Sequence, residues 1–184
     1  KQAIVHRAVT RGLDRNVRLT KSGVEWLGDV PEHWQPPVKI KFVAIMKGRL
    51  GWQGLKASEY TTKGPYVVSS AHFRNHIVNW DICPHVTEER YAMDENIQIA
   101  PGDVLLMKDG AAMGKLAFID ELPGPACLNS HLLLFRPNRS DLTFFPKFLF
   151  YFMQTACFQD FIRVNGTGAT FLGISQESVK NYKV

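Results

Sequence analysis

The chain has 184 residues, of which 45% are hydrophobic and 21% charged, enough for one full core with a helical appendage and too little for two sizeable domains. No apolar stretch reaches membrane-spanning length and the opening KQAIVHRAVTRG lacks a signal-peptide core, so a membrane protein and an exported one are both set aside and a cytoplasmic one is expected. The net charge of +5 is compatible with a polyanionic partner without demanding one.

In chain order, Lys1 to Arg11 reads as a helix, with Ile4, Val5, Ala8 and Val9 on one stripe, Arg7 and Arg11 turned away, and Gly12 where a helix-ending glycine belongs. A helix this short is marginal alone, so its stripe must dock on something. It carries no initiating Met, which points to a piece of a longer chain. Asp14 to Lys21 is polar and without apolar rhythm. Trp26, Leu27, Val30 and Trp34 follow around Gly28 and Pro31 and read as a hydrophobic clasp, the tryptophans as packing anchors. From Val38 to Pro137, short apolar runs are cut by turn residues, and strands are expected at Lys39 to Lys47, Tyr66 to Ser69, His76 to Trp80, Ile97 to Ile99, Val104 to Met107, Leu116 to Ile119 and His131 to Phe135. Their close spacing, without long helices between, predicts an α+β fold with a mainly antiparallel, partly barrel-like sheet and a few helices. Pro146 then opens a helix in which Phe148, Leu149, Phe152, Ala156 and Phe161 recur at helical spacing; Asn165-Gly166 ends it, and a short element closes the chain from Ser175 to Val184.

Cys83, Cys127 and Cys157 form no C-x-x-C pair; buried reduced thiols are expected rather than a zinc site. Catalytic motifs fail residue by residue. Gly110 to Leu116 imitates a phosphate-binding loop, yet Asp109 stands where its first glycine belongs and Leu116 where a magnesium-holding hydroxyl belongs. Gly166-x-Gly168-x-x-Phe171 lacks the third glycine of a dinucleotide fingerprint. Glu88-Glu89 and Asp120-Glu121 sit in turn-like contexts and read as solvated surface.

The strand Val104 to Met107 runs into Lys108-Asp109-Gly110-Ala111-Ala112-Met113-Gly114-Lys115, a turn nearly bare of side chains with a lysine at each end. Such a turn admits a bulky polyanion close to the backbone, or is a plain hairpin with solvated lysines. Other loops carry groups able to address nucleic acid. Arg49, Trp52, Gln53 and Lys56 lie in a glycine-rich stretch. Ser70, His72, Arg74 and Asn75 follow a strand, His131 ends Asn129-Ser130-His131, and Thr167 and Thr170 flank Gly168. Arg, Gln and Asn can pair twice with a base edge, whereas Lys108, Lys115 and Lys56 offer point charge to phosphates. Each loop read singly is equally an ordinary surface loop.

Taken together, SGVEWLGDVPEHW, GDVLLMKDG and GISQESVKNYKV, in this order, resemble a target-recognition domain of the specificity subunit of type I restriction–modification enzymes, along essentially the whole chain. The resemblance implies a DNA methylase specificity domain-like fold, with residues 1–13 the end of a spacer helix that forms a coiled coil, 14–37 a linker and clasp, and 38–184 the recognition domain. It implies a module that reads one half of a bipartite site in double-stranded DNA and catalyses nothing itself. Methyltransferase (modification) subunits using S-adenosylmethionine and a restriction subunit using ATP and magnesium would be its partners. The alternative is the recognition end of a fused methyltransferase–nuclease.

Overall fold

In a computed structural model of the chain, residues 2–48, 55–138, 145–168 and 172–184 are described. The candidates Arg49, Trp52, Gln53 and Thr170 lie outside them.

Helix α1 (Gln2–Arg11) docks on helix α4 (Pro146–Met153) and buries Val9. Gly12, at φ +74°, closes it with an N–H bond to the Ala8 carbonyl, as a helix-terminating glycine does. The stretch read as a featureless linker contains a strand, β1 (Leu19–Lys21), paired antiparallel with β2 (Asp29–Pro31). All three residues of β1 are exposed, so ladder hydrogen bonds hold it and no apolar alternation announces it. The clasp between the strands lays Trp26 on Tyr182, stacked at 5.2 Å, and edge-on to Phe152 at 5.8 Å.

The expected strand from Lys39 begins instead as a helical turn, α2 (Ile40–Val43), before β3 (Ala44–Gly48). Ile40 and Val43 are both buried, and residues three apart share a face only on a helix. A 3-10 turn at Ala57–Glu59 precedes β4 (Tyr60–Val68), six residues longer at its start than the apolar run from Tyr66. A bulge between Thr61 and Tyr66 accounts for that polar extension. The hairpin β5 (Phe73–Arg74) and β6 (Ile77–Val78) follows, then β7 (His85–Val86) and α3 (Glu88–Ala92), which Thr87 caps. Glu88 and Glu89 thus occupy the first turn of a helix, where their charge suits the dipole. Ile97 and Ile99 are buried without forming a strand: Asp94 caps a 3-10 turn there, and only Gln98 bridges, to Cys127.

Strands β8 (Val104–Met107), β9 (Leu116–Phe118), β10 (Ala126–Leu128) and β11 (Leu132–Pro137) complete the sheets. The order β3-β11-β8-β9 is antiparallel throughout. A second sheet, β10-β4-β7, contains one parallel pair, β10 with β4. The fold is therefore α+β and mainly antiparallel, and among the described residues the sheets do not close into a barrel. Strand β10 was not expected, since its three residues give too short an apolar run.

The larger sheet is buried on both faces. Val104, Leu106, Leu116, Leu133 and Phe135 point to a core shared with Phe152, Phe158, Ile162 and Val179, while Leu105, Ala117, Leu132 and Leu134 point to one shared with Val67, Val68, Val86 and Leu128. This is why VLLM and LLLF read as continuous apolar runs. The single helix expected after Pro146 is two, α4 and α5 (Ala156–Val164), broken where the buried Thr155 caps α5 and donates its hydroxyl to the Phe152 carbonyl at 2.7 Å. Helix α6 (Gln176–Lys180) precedes Tyr182 and Val184. Val38 and Val184 exchange both backbone hydrogen bonds, at 3.0 and 2.8 Å, and Ile40 N–H reaches the Tyr182 carbonyl at 2.9 Å. Cys83 and Cys127 are buried, Cys157 partly so, and none forms a disulfide. No helix among the described residues is long and apolar enough to cross a membrane.

Candidate nucleic-acid interface

The turn after β8 is fixed by its backbone. Gly114, at φ +90°, turns the chain back by donating to the Met107 carbonyl at 2.9 Å. Glycine is required there by conformation, and a Cβ would lie 2.7 Å from Gln159 Oε1, so any side chain would push the Gln159 amide aside. The Gln159 amide donates to the Gly114 carbonyl at 3.1 Å and to the Met153 carbonyl at 2.8 Å, tying the turn to α5.

Neighbouring loops are stitched to this turn. Lys108 N–H donates to the His131 carbonyl at 3.0 Å, and Ile174 N–H to the Lys108 carbonyl at 2.8 Å. Gly110 N–H reaches Leu172, and Thr167 and Gly173 exchange hydrogen bonds of 2.9 Å. The Asp109 carboxylate meets His131 Nδ1 at 2.7 Å, and His131 N–H donates to Asn129 Oδ1. Asn129 N–H in turn joins the Val68 carbonyl at the end of β4. Strand β3 ends at Gly48, opposite Leu133, so it also finishes at this end of the sheet.

The remaining candidate loop is the β5–β6 hairpin. Its two turn residues, Asn75 (φ 50°) and His76 (φ 68°), both adopt the left-handed conformation of a type I′ turn. Arg74 is exposed, and its Nη1 donates to the Ala71 and Phe73 carbonyls at 2.7 and 3.0 Å. His72 Nδ1 accepts from Ser69 N–H at 3.1 Å. Burial, and secondarily the Arg74 charge, push the His72 pKa down, which keeps the ring neutral and able to accept. His76 Nδ1 lies 3.2 Å from the Leu116 carbonyl, so that nitrogen carries the proton. Lys115 Nζ donates to the Ser70 carbonyl at 3.0 Å.

Thus Ser70, Lys108, Lys115, His131 and Thr167, drawn from loops far apart in sequence, meet at one end of the sheet. His72 and Arg74 lie on the segment that follows Ser70, and Asn75 lies farther along β9, beside Phe118 and Asp120. An open groove of about 410 Å³ runs beside them, between Lys115, His76 and Gln159. Lys56 is not joined to them by any hydrogen bond or ion pair among the described residues; its N–H bonds Glu59. The lysines differ: Lys115 is engaged with Ser70, whereas the Lys108 ammonium makes no ion pair among the described residues.

At the opposite end of the same sheet, the fully buried Asp103 receives Arg136 in a two-point pair, Nε to Oδ1 at 2.8 Å and Nη2 to Oδ2 at 2.7 Å, plus Ala100 N–H at 2.7 Å. That pair raises the Arg136 pKa further. Neither this clamp nor the Gln159 tether was foreseen, since one acid, one arginine and one helical glutamine carry no spacing signal. Among the described residues no cluster of His, Cys, Asp or Glu could hold a metal ion.

No family model matches the chain, and no curated protein matches it. Solved structures do. The crystal structure of the HsdS subunit from Thermoanaerobacter tengcongensis aligns over 99% of this chain and 38% of its own, with a TM-score of 0.62 at 16% identity. A chain from a structure described as the basis of complex assembly and conformational transition of the type I restriction–modification system aligns over 100% of this chain and 40% of its own, with a TM-score of 0.60 at 18% identity. The type I restriction–modification S subunit from M. genitalium aligns over 93% and 35%, with a TM-score of 0.52 at 14% identity. The fold is shared along nearly the whole chain, and the chain spans about two fifths of the length of these proteins.

Proposed function

We propose that the chain is a target-recognition domain of the specificity subunit of a type I restriction–modification enzyme, and that it binds one half of a bipartite site in double-stranded DNA through the loop end of its larger sheet. The observation that carries this reading is the gathering of the candidate loops at that one end of a fold shared with specificity subunits. Cations and two-point hydrogen-bonding side chains together are what groove reading on a phosphate backbone requires. Methyltransferase and restriction subunits are the partners in this reading, and S-adenosylmethionine, ATP and magnesium belong to them. The domain then turns over nothing itself and works in the cytoplasm, where its DNA is.

The test is duplex binding across a salt series. Affinity should fall as a power of salt concentration, with about 0.9 of slope for each phosphate engaged. Lys108→Ala should weaken binding to all sequences alike and reduce the slope by about one unit. A salt-independent response, or equal retention of an acidic polymer that is not nucleic acid, would sink the proposal.

A further inference from the structure

We infer that Lys115 is a positioning residue that sets base preference through the β5–β6 hairpin, and is not a phosphate anchor; the inference rests on the DNA-binding reading and deepens it. The hairpin is a two-rung ribbon, too short to hold its own geometry. Its exposed tip nevertheless carries Arg74 and Asn75, the side chains suited to base edges. Rigidity has to be supplied from outside, and the contacts that supply it can be named.

The 3-10 turn at Ser70–His72 leads into the hairpin, and Lys115 Nζ grips its first carbonyl, Ser70, at 3.0 Å across 45 residues of sequence. The same ammonium lies 5.9 Å from the ring centroid of Phe73, a fully buried side chain at the root of β5. Phe118 N–H bonds the carbonyl of His76, in the turn itself, at 2.9 Å, so β9 holds the tip while the residue just before β9 holds the turn that leads into the hairpin. Arg74 depends on this arrangement. Its Nη1 is committed to the Ala71 and Phe73 carbonyls, which orients the guanidinium only as long as that turn keeps its place. Lys115 itself is fixed by the turn that Gly114 and Gln159 hold. A lysine so engaged would have to give up the Ser70 carbonyl to reach a phosphate. Lys108, at the other end of the same turn, has no such tie among the described residues.

The full-length natural chain, assembled with the subunits it works with, is the material for the test. Lys115→Met keeps the stem over Phe73 but removes the charge and the donor; Lys115→Arg keeps both. Binding-site selection and a salt series are run on each, with Arg74→Ala for comparison. Lys115→Met should flatten preference at the same base positions as Arg74→Ala, leave the salt slope within error of wild type, and be rescued by Lys115→Arg. A slope lower by about one unit with the selected sequence unchanged makes Lys115 a phosphate contact and overturns the inference. An unchanged slope with an unchanged sequence overturns it as well. Amide exchange of Arg74 to Asn79 without DNA separates this result from a failure of the functional reading. If the wild-type chain binds no duplex in a sequence-dependent way, that reading falls, yet faster exchange in Lys115→Met still supports the strut and unchanged exchange refutes it.

Discussion

His72 shows how single side chains at the loop end are set by their surroundings. Its Nδ1 accepts the Ser69 N–H, and burial and Arg74 both hold its pKa below the ordinary 6.5. The unfolded chain therefore binds the proton more readily than the folded one, so this residue's contribution is intact above about 6.5 and is lost as pH falls below it. Acidifying from about pH 7.5 to about pH 5.5 should destabilise the wild type more than His72→Asn, whose amide oxygen can replace Nδ1 as the acceptor. Denaturant midpoints of both proteins at both pH values are the measurement, and equal shifts would refute the assignment. At this scale the sequence revealed residue types and not pairings. Arg74 and Asn75 could be chosen for their hydrogen-bonding geometry, but that Lys115 reaches Ser70 while Lys108 makes no ion pair among the described residues depends on how β9 passes the hairpin. No local pattern encodes that.

Among the elements, the break between α4 and α5 is the most instructive departure. Phe148, Leu149, Phe152, Ala156 and Phe161 keep helical spacing across it, so periodicity predicts one continuous helix. Thr155 decides otherwise: its backbone is extended (φ −65°, ψ 151°) and its side-chain oxygen accepts the Phe158 N–H, which starts a second helix. Removing that oxygen with Thr155→Ala should cost about 1 kcal/mol of stability. Thr155→Ser, which keeps it, should recover most of that, as read by chemical denaturation; equal losses in the two variants would show that the methyl and not the cap matters. The other misread elements share one cause. Strand β1 is exposed, β10 has three residues, and the polar start of β4 is a bulge, so each is held by backbone pairing that leaves no apolar trace. Strands β8 and β11, buried on both faces, were plain in the sequence.

For the whole molecule, the governing fact is that one sheet serves two cores. Leu105 and Leu106 are adjacent and fully buried, yet they face opposite sides. Leu105→Ala and Leu106→Ala should each cost roughly 2–5 kcal/mol. Because the layers share that sheet, each substitution should lower one common transition seen by far-ultraviolet dichroism and by tryptophan fluorescence. Separate transitions for the two probes would mean that the layers fold independently. The buried Asp103–Arg136 pair pins the far end of the same sheet, which leaves the near end to carry loops whose hydrogen bonds are mostly to one another.

The pairing of Val38 with Val184 gives the unit between them the topology of a nearly closed ring. Its first and last residues lie side by side, joined by an antiparallel bridge at Lys39 and Lys183, about 5 Å apart. Residues 38 and 184 therefore stay where a short turn could join them. Joining its ends with a short turn and cutting the chain elsewhere on its surface would leave the same object.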